Sequence, residues 1–156
     1  PMMTDRLEQY LADTGVPYIH TVHGPAFTAR DTAHKDHTPA REMAKTVVFL
    51  GDGGYGIAIL PANTHVDLQE LANWLGLSQL RLATEDELVG LFPDVELGAM
   101  PAFGNLYNIP VYLDDRLARQ PRIAFNAGTH TDTVHMNTVD FIRLADALIV
   151  PFARKC

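Results

Sequence analysis

The chain has 156 residues, of which 47% are hydrophobic and 20% are charged, a composition typical of a folded domain rather than a disordered segment. Its net charge of −7 argues against broad, sequence-independent binding of nucleic acid, which requires a basic face. No apolar run is long enough to span a bilayer, and no signal peptide is recognisable. The one cysteine, Cys156, has no partner for an internal disulfide. We therefore expect one domain covering residues 1–156, located in the cytoplasm and without a membrane partner.

In chain order, the first half of the sequence predicts a helix at 3–14, a strand at 18–22, a short helix at 28–36 and strands at 45–50 and 55–61. Thr28 and Asp31 have capping-box spacing at the start of the second helix. The segment Gly51-Asp-Gly-Gly54 separates the last two strands and is typical of a hairpin turn. These two strands are therefore expected to pair with each other.

The second half predicts a helix at 66–75, an extended segment at 80–83, a helix at 84–91, strands at 109–113, 122–125 and 133–136, and a last helix at 138–148. Thr84 and Glu87 form a capping box for the second of these helices. Strands outnumber helices, and several successive strands have no helix between them. This order favours an α+β fold with a mixed, largely antiparallel sheet over a doubly wound parallel one.

The sequence lacks the residues that covalent catalysis by a serine or cysteine would need. Its one serine, Ser78, is not part of a nucleophile elbow, and Cys156 lies at the end of the chain, where we expect fraying. A hydrolase built from this sequence is therefore expected to use water, or a hydroxyl group carried by the substrate, while the protein stabilises the developing charge.

Seven histidines raise the question of a metal site. His20 and His23 lie near a strand end, where a spacing of three directs side chains to opposite faces. His34 and His37 can share a helical face, but Lys35 and Asp36 between them indicate a solvated segment. No HExxH or CxxC motif accompanies them. We therefore expect no metal and no other cofactor.

Lys45 opens a strand whose following residues, 46–50, are nearly all apolar. Two interpretations stay open at this point. The side chain is either a surface lysine whose stem covers apolar surface, or a fixed cation in a cleft that orients an ester carbonyl or a phosphate.

Two loops are rich in small residues. The segment Gly98-Ala-Met-Pro101-Ala-Phe-Gly104 is stiffened by its proline and has glycines that let a ligand approach the backbone. The segment Gly128-Thr-His130 follows the strand at 122–125. Each segment is either a ligand-binding loop or a simple connection between elements.

Together these stretches resemble the YbaK / prolyl-tRNA-synthetase-associated family of editing domains, also called ProX-like. The resemblance runs over nearly the whole chain and is carried by the order of Ala44-Lys45-Thr-Val-Val-Phe-Leu50, the loop at 98–104, Val111-Tyr-Leu-Asp114, and Phe125-Asn-Ala-Gly128-Thr-His130 with Val134-His-Met136. It implies a mixed, largely antiparallel and partly barrel-like sheet surrounded by helices. It also implies hydrolysis of the ester that joins a wrong amino acid to the terminal adenosine of a tRNA.

The resemblance further implies roles for individual residues. Lys45 corresponds to the functional lysine of the family, and no metal is required because a ribose hydroxyl assists the attacking water. The expected substrate-binding residues are Tyr18, His20, Gly98, Ala99, Met100, Pro101, Gly104, Gly128 and His130.

The sequence departs from the family pattern at two places. The family usually has Gly-x-x-x-Pro, whereas here Pro101 comes three residues after Gly98 and Ala102 takes the usual proline position. An acidic residue near the last strand is matched only by Asp132, one position out of register. The first departure affects the shape of the pocket, so alanine, cysteine, serine and threonine all stay open as the amino acid removed.

Two functions from different classes follow. The first is a free-standing, trans-editing aminoacyl-tRNA deacylase, for which the need of a synthetase partner is open and a monomer is expected. The second is a non-catalytic binding module for an amino acid, a nucleotide or the acceptor end of a tRNA, which the net charge of −7 fits slightly better. Contacts with phosphate need cationic side chains. Four of these lie close together in the sequence and predict a local basic rim: Arg30, Lys35, Arg41 and Lys45.

Overall fold

Six α-helices and ten strands make up most of residues 3–100 and 102–156, the parts of the chain that the computed structural model describes. The helices are α1 (Asp5–Thr14), α2 (Ala29–Lys35), α3 (Leu68–Leu75), α4 (Glu85–Leu91), α5 (Asp115–Ala118) and α6 (Thr138–Ala145). The strands are β1 (Tyr18–Val22), β2 (Ala44–Gly51), β3 (Gly54–Pro61), β4 (Thr64–Val66), β5 (Leu80–Leu82), β6 (Val111–Asp114), β7 (Arg122–Asn126), β8 (Asp132–Asn137), β9 (Leu148–Val150) and β10 (Ala153–Lys155). Within these residues, no helix has the length and apolarity needed to cross a membrane.

The strands form three sheets, with the orders β1-β8-β7, β5-β2-β3-β6-β9 and β10-β4. Five of the seven strand pairings are antiparallel, and the two parallel ones join β3 to β6 and β6 to β9. The predicted α+β fold with a mixed, largely antiparallel sheet is therefore confirmed. Each sheet has two edge strands, so no sheet among the described residues closes into the barrel that the resemblance implied.

The first and second sheets meet at one point. Met43, just before β2, forms an isolated parallel bridge with Ala124 of β7, and the Ala124 amide donates to the Glu42 carbonyl at 2.9 Å. Both bridge residues are buried, together with Ala33 of α2 and Ala62. The start of β2 therefore lies beside the middle of β7, and this contact fixes the three-stranded sheet against the five-stranded one.

The hairpin between β2 and β3 forms as predicted, with Gly51 paired to Gly54. Asp52 and Gly53, the two residues between them, have φ angles of 50° and 88°. A two-residue turn with positive φ at both positions matches the twist of the flanking strands, and Asp-Gly sequences adopt it readily. The Asp52 carboxylate also accepts hydrogen bonds from the backbone amides of Ser78 and Gln79, which attaches the turn to the start of β5.

The five-stranded sheet has an apolar core on each side. Alternate residues of β2 face opposite ways, so Ala44 and Val48 enter one core while Phe49 enters the other with Leu71 of α3. The larger core contains three mutually packed rings, with centroids 5.2 to 5.7 Å apart, from Phe103, Phe125 and Phe141.

The structure contains three short strands that the sequence did not predict, β4, β9 and β10. The last helix ends at Ala145 rather than at 148 because Asp146 adopts a left-handed conformation with φ 51°, and β9 follows. The helix expected at 66–75 begins at Leu68, because the Asp67 side chain caps it by accepting from the Glu70 amide. The three residues before the cap form β4, which pairs with β10, and such short strands carry no periodic pattern of their own.

Asp114 at the end of β6 connects three parts of the chain. Its side chain is buried, and one carboxylate oxygen accepts from the backbone amides of Phe152 and Ala153 at 2.9 and 2.8 Å. The other oxygen accepts from the Arg116 amide at 2.9 Å and so caps α5. The carboxylate therefore holds the segment between β9 and β10 beside the start of α5.

We expect Asp114→Ala to lower the free energy of unfolding by about 2–4 kcal/mol, because three backbone amides lose their acceptor in a buried place. Asp114→Asn should cost less, since its amide oxygen can still accept from Phe152 and Ala153. Urea denaturation followed by circular dichroism measures both. The neighbouring Asp115→Ala is the control, because it removes only an exposed contact with Arg119 and should change stability by less than about 0.5 kcal/mol. Equal midpoints for the two alanine variants would contradict the proposed role of Asp114.

Candidate active site

Lys45 lies at the start of β2, and its ammonium group is held rather than free in solvent. The residue pairs with Leu60 in the ladder between β2 and β3, and its side chain is half-buried. The Nζ atom donates to the carbonyl oxygen of Thr64 at 3.2 Å. An ammonium has three donors, and the described residues provide an acceptor for only this one. The cation is therefore fixed in position with hydrogen-bonding capacity to spare.

The loop from Gly98 to Gly104 packs against the larger core rather than projecting into solvent. Ala99, Met100 and Ala102 are all buried, while Pro101 lies outside the described residues. Gly98 has a φ of 88°, which favours glycine, and a side chain at Gly104 would lie 2.4 Å from the carbonyl oxygen of Ile109. The glycines at the two ends therefore serve the close packing of this loop.

The loop at 128–130 lies beside Gly98. The Glu96 amide donates to the Gly128 carbonyl at 2.9 Å, and the Glu96 carboxylate accepts from the His130 amide at 2.7 Å. A β-carbon at Gly98 would lie 3.5 Å from Cε1 of His130. The structure therefore brings together two of the segments that the sequence singled out, and Glu96 connects them.

The His130 ring is oriented by two neighbours. It packs against the exposed ring of Phe27 with centroids 4.6 Å apart and a tilt of 48° between the rings, and its Nδ1 lies 3.1 Å from the carbonyl oxygen of Ala26. A carbonyl oxygen can only accept, so Nδ1 is the donor in this contact, and Nε2 accepts whenever it carries no proton.

Tyr18 and His20 lie on the same face of β1, which pairs with β8. Tyr18 is opposite Met136 and packs against the larger core. His20 extends toward Asp132, and its Nε2 lies 2.6 Å from Oδ1 of that carboxylate. The strand therefore brings both residues to one face, and Asp132 is the direct partner of His20.

Asp132 is fully buried and is surrounded by donors. The hydroxyl groups of Thr129 and Thr131 both donate to its Oδ2 atom, while His20 contacts the other oxygen. Burial raises the pKa of Asp132, but the hydrogen bonds from Thr129, His20 and Thr131 outweigh it, so the pKa lies below its ordinary value. The group is therefore a carboxylate at neutral pH.

A second carboxylate–histidine pair lies on the opposite face of β8. Nε2 of His135 lies 2.7 Å from Oδ2 of Asp36, whose side chain is 2% exposed and also accepts from the hydroxyl groups of Thr21 and Thr38. The segment is solvated at His34, Lys35 and His37, which are exposed, whereas the Asp36 side chain is buried against the expectation. Residues three apart on a strand point to opposite faces, which separates His135 from the pair at Asp132.

The structure does not join all of the candidate residues. Within residues 3–100 and 102–156, no hydrogen bond connects Lys45 to the Gly98 loop or to His130. The same residues contain no group of three or more His, Cys, Asp or Glu side chains arranged to hold a metal ion. The arrangement offers one fixed cation, two oriented histidines and buried carboxylates as its chemical groups.

Comparison with known sequences identifies relatives along most of the chain. The aminoacyl-tRNA editing domain family matches residues 23–144. The multifunctional Ser/Thr-tRNA deacylase ProXp-y of Escherichia coli is 35% identical over 157 residues, which covers 96% of this chain and 92% of that protein. A proline–tRNA ligase of Staphylococcus epidermidis is 28% identical over 117 residues, which covers 74% of this chain but only 20% of that enzyme.

Solved structures show the same fold. A crystal structure of a candidate trans-editing enzyme for prolyl tRNA synthetase superposes with a TM-score of 0.80 at 23% identity, covering 96% of this chain and 95% of the other. A crystal structure of a hypothetical protein gives a TM-score of 0.86 at 18% identity, with 96% and 100% covered. The family match, the identity to a full-length relative and the agreement of the folds lead to one conclusion: the chain belongs to the aminoacyl-tRNA editing domain family.

Proposed function

We propose that the protein is a trans-editing deacylase, which hydrolyses the ester of tRNA charged with a small, wrong amino acid. The observation that carries this proposal is the 35% identity over 96% of the chain to a deacylase of Ser- and Thr-tRNA. The relatives among proline–tRNA ligases support it, because the related segment there is part of an enzyme that charges tRNA.

The proposed hydrolysis uses water because no serine or cysteine is placed as a nucleophile. The only serine in the sequence, Ser78, donates from its hydroxyl group to Asp52 at 3.1 Å on the surface beside the hairpin turn. Cys156 is exposed. An aminoacyl ester is an activated ester, so orientation of water by a ribose hydroxyl and stabilisation of the developing oxyanion supply most of the required rate.

Lys45 is the proposed catalytic residue. Its ammonium group is anchored by the Thr64 carbonyl at 3.2 Å and keeps two N–H donors for a substrate. A preorganised cation stabilises an oxyanion or a phosphate more strongly in a half-buried place than in water, because little reorganisation is needed when charge develops. This role requires the ester to bind within reach of Nζ.

The Gly98 loop is proposed to bind the aminoacyl group. The Ala99 amide is already occupied, since it donates to the Glu96 carbonyl at 3.0 Å, whereas the amides of Gly98 and Met100 have no acceptor among the described residues. These two N–H groups are therefore the better donors for a substrate oxygen. The Nε2 atom of His130, an acceptor beside Gly98, is suited to the α-ammonium group of the amino acid.

The remaining candidates define the surroundings of the site. Tyr18 and His20 are proposed to contact the terminal nucleoside, with His20 held by the Asp132 carboxylate. Gly128, Gly104 and the buried residues of the loop limit the room for an amino-acid side chain. Alanine, cysteine, serine and threonine are the proposed substrates because each has a small side chain.

We expect Lys45→Met to lower the rate of deacylation by about 100-fold or more while the circular dichroism spectrum and melting temperature stay close to those of the wild type. Methionine keeps the apolar stem and removes the charge. Arg143→Met is the control, because it removes one positive charge from α6, where Arg143 is exposed and pairs with Asp140 of the same helix. A folded Lys45→Met protein with the wild-type rate on every aminoacyl-tRNA would rule out the catalytic role.

A panel of aminoacyl-tRNAs separates a deacylase from a binding module. We expect hydrolysis of tRNA charged with one or more of alanine, cysteine, serine and threonine, and rates at least about tenfold lower for leucine or phenylalanine, because an oversized side chain does not fit a closely packed loop. Release of labelled amino acid under multiple-turnover conditions measures this. Tight binding of the acceptor end with no turnover of any member of the panel would establish the binding module instead.

The proposed chemistry places the developing charge at Lys45 rather than at a metal ion. We therefore expect excess EDTA to change the deacylation rate by less than about twofold, provided that the magnesium needed to fold the tRNA is restored after chelation and dialysis. The assay compares chelated and untreated protein on the same charged tRNA. Loss of activity that returns only with zinc would instead show a metal-dependent hydrolase.

A further inference from the structure

A basic cleft lies next to the proposed catalytic lysine. It has a volume of about 840 Å³ and is formed by α2, the segment before β2, the turn after β3, α5 and β10. Five cationic side chains line it, those of Arg30, Arg41, Arg116, Arg119 and Lys155. They come from distant parts of the sequence, so the fold rather than a local charge run creates this cleft.

The charge of the cleft is opposite to that of the whole protein. The net charge is −7, with 12 lysines and arginines against 19 acidic residues, yet five of the 12 line this one cleft. No aspartate or glutamate is among the described residues that line it. The ion pairs of these cations are loose: Asp115 lies 3.6 Å from Arg119, and Glu42 lies 4.0 Å from Arg41. Arg116 and Arg119 also border a neighbouring cavity that three carboxylates line, those of Glu70, Asp114 and Asp115. Exposed pairs at such distances leave most of the positive field in place.

The chemistry of the lining favours phosphate over other anions and over nucleobases. Four of the five cations are arginines, whose planar guanidinium groups bind phosphate oxygens through paired hydrogen bonds. None of the described lining residues is aromatic, so the cleft offers no platform on which a base can stack. Contacts of this kind position a nucleic acid without reading its sequence.

The cleft also adjoins Lys45. Thr64 lines the cleft, and its carbonyl oxygen is the acceptor for the Lys45 ammonium group. A polyanion that contacts Thr64 in the cleft would therefore lie next to the Lys45 ammonium group, which is proposed to act on the ester.

We propose that this cleft binds the sugar–phosphate backbone of the RNA whose aminoacylated end reaches Lys45. The inference rests on the proposed function and adds to it the surface that holds the rest of the substrate. Arg30 and Arg41 of the basic rim predicted from the sequence belong to this surface, whereas Lys35 does not line it. The cleft contributes affinity and placement, and the ester chemistry stays with the site at Lys45.

The experiment uses the double variant Arg116→Ala/Arg119→Ala in the full chain. The control is Arg81→Ala/Arg143→Ala, which removes two positive charges that do not line the cleft. Arg116 belongs to α5 and Arg119 directly follows its last residue. The N-terminal cap of that helix is preserved because Asp114 accepts from the backbone amide of Arg116. A second variant, Arg30→Ala/Lys155→Ala, changes the other wall of the cleft, so the test does not depend on one helix.

Two substrates are compared, an aminoacyl-tRNA and the aminoacyl-adenosine that lacks the phosphates. We expect the ratio of kcat/KM for the tRNA to kcat/KM for the adenosine ester to fall at least about tenfold in each cleft variant, chiefly through a higher KM for the tRNA. The ratio should keep its wild-type value in the control. Binding of uncharged tRNA, measured by fluorescence anisotropy at several salt concentrations, should show a slope of log Kd against log salt that is smaller by about 1.5.

The outcomes separate this inference from the proposed function. If the wild type hydrolyses neither substrate, the proposed function fails. If it hydrolyses both but the cleft variants match the control in KM and salt slope, the function stands and the cleft is not the RNA surface. Retained tRNA binding together with loss of binding to a synthetase or to anionic vesicles would also overturn the inference and assign the cleft to that partner.

Discussion

The parallel bridge between Met43 and Ala124 is the contact on which the arrangement of the site depends. It joins the sheet that holds Lys45 to the sheet that holds His20 and the loop at 128–130. The bridge is buried, and the 2.9 Å bond between Ala124 and Glu42 satisfies backbone groups that would otherwise be costly to bury. A fixed distance between the sheets matters because the proposed chemistry has no covalent step to hold the substrate, and it relies on groups that are already in position.

Burial of charge next to the strands gives the site its rigidity. Asp132 and Asp36 lie on opposite faces of the three-stranded sheet, and each lies within 2.7 Å of a histidine Nε2 atom and accepts from threonine hydroxyls. A carboxylate that is buried with all its donors in place resists movement, because leaving any donor behind would cost more than the bond is worth. The orientation of the His20 ring is therefore fixed by the sheet, through the Asp132 carboxylate.

Features that depend on residues close in sequence, such as turns and helix caps, could be predicted from the sequence. Features that depend on residues distant in sequence, such as the pairing of short strands and the burial of single side chains, could not. The hairpin at Asp52-Gly53 and the capping box at Thr84 are set within four residues, so they were predicted correctly. Strands β9 and β10 form by pairing with β6 and β4, which are distant in sequence. Asp36 is buried next to His135 of β8, about 100 residues later in the chain. For the same reason the pattern around Lys45 predicted its strand but not its bond to Thr64.

Net charge was the least informative property of the sequence, because a sum over the whole chain says nothing about where the charges lie. At physiological salt an exposed charge is screened within about 8–10 Å, so a bound phosphate responds to the cations around it and hardly to acidic residues across the molecule. The five cations of the cleft are therefore compatible with an acidic protein. For the proposed RNA complex, the acidic residues outside the cleft have a use: they weaken contacts with RNA elsewhere on the surface. They therefore favour the one orientation in which the RNA backbone lies in the cleft and its end is near Lys45.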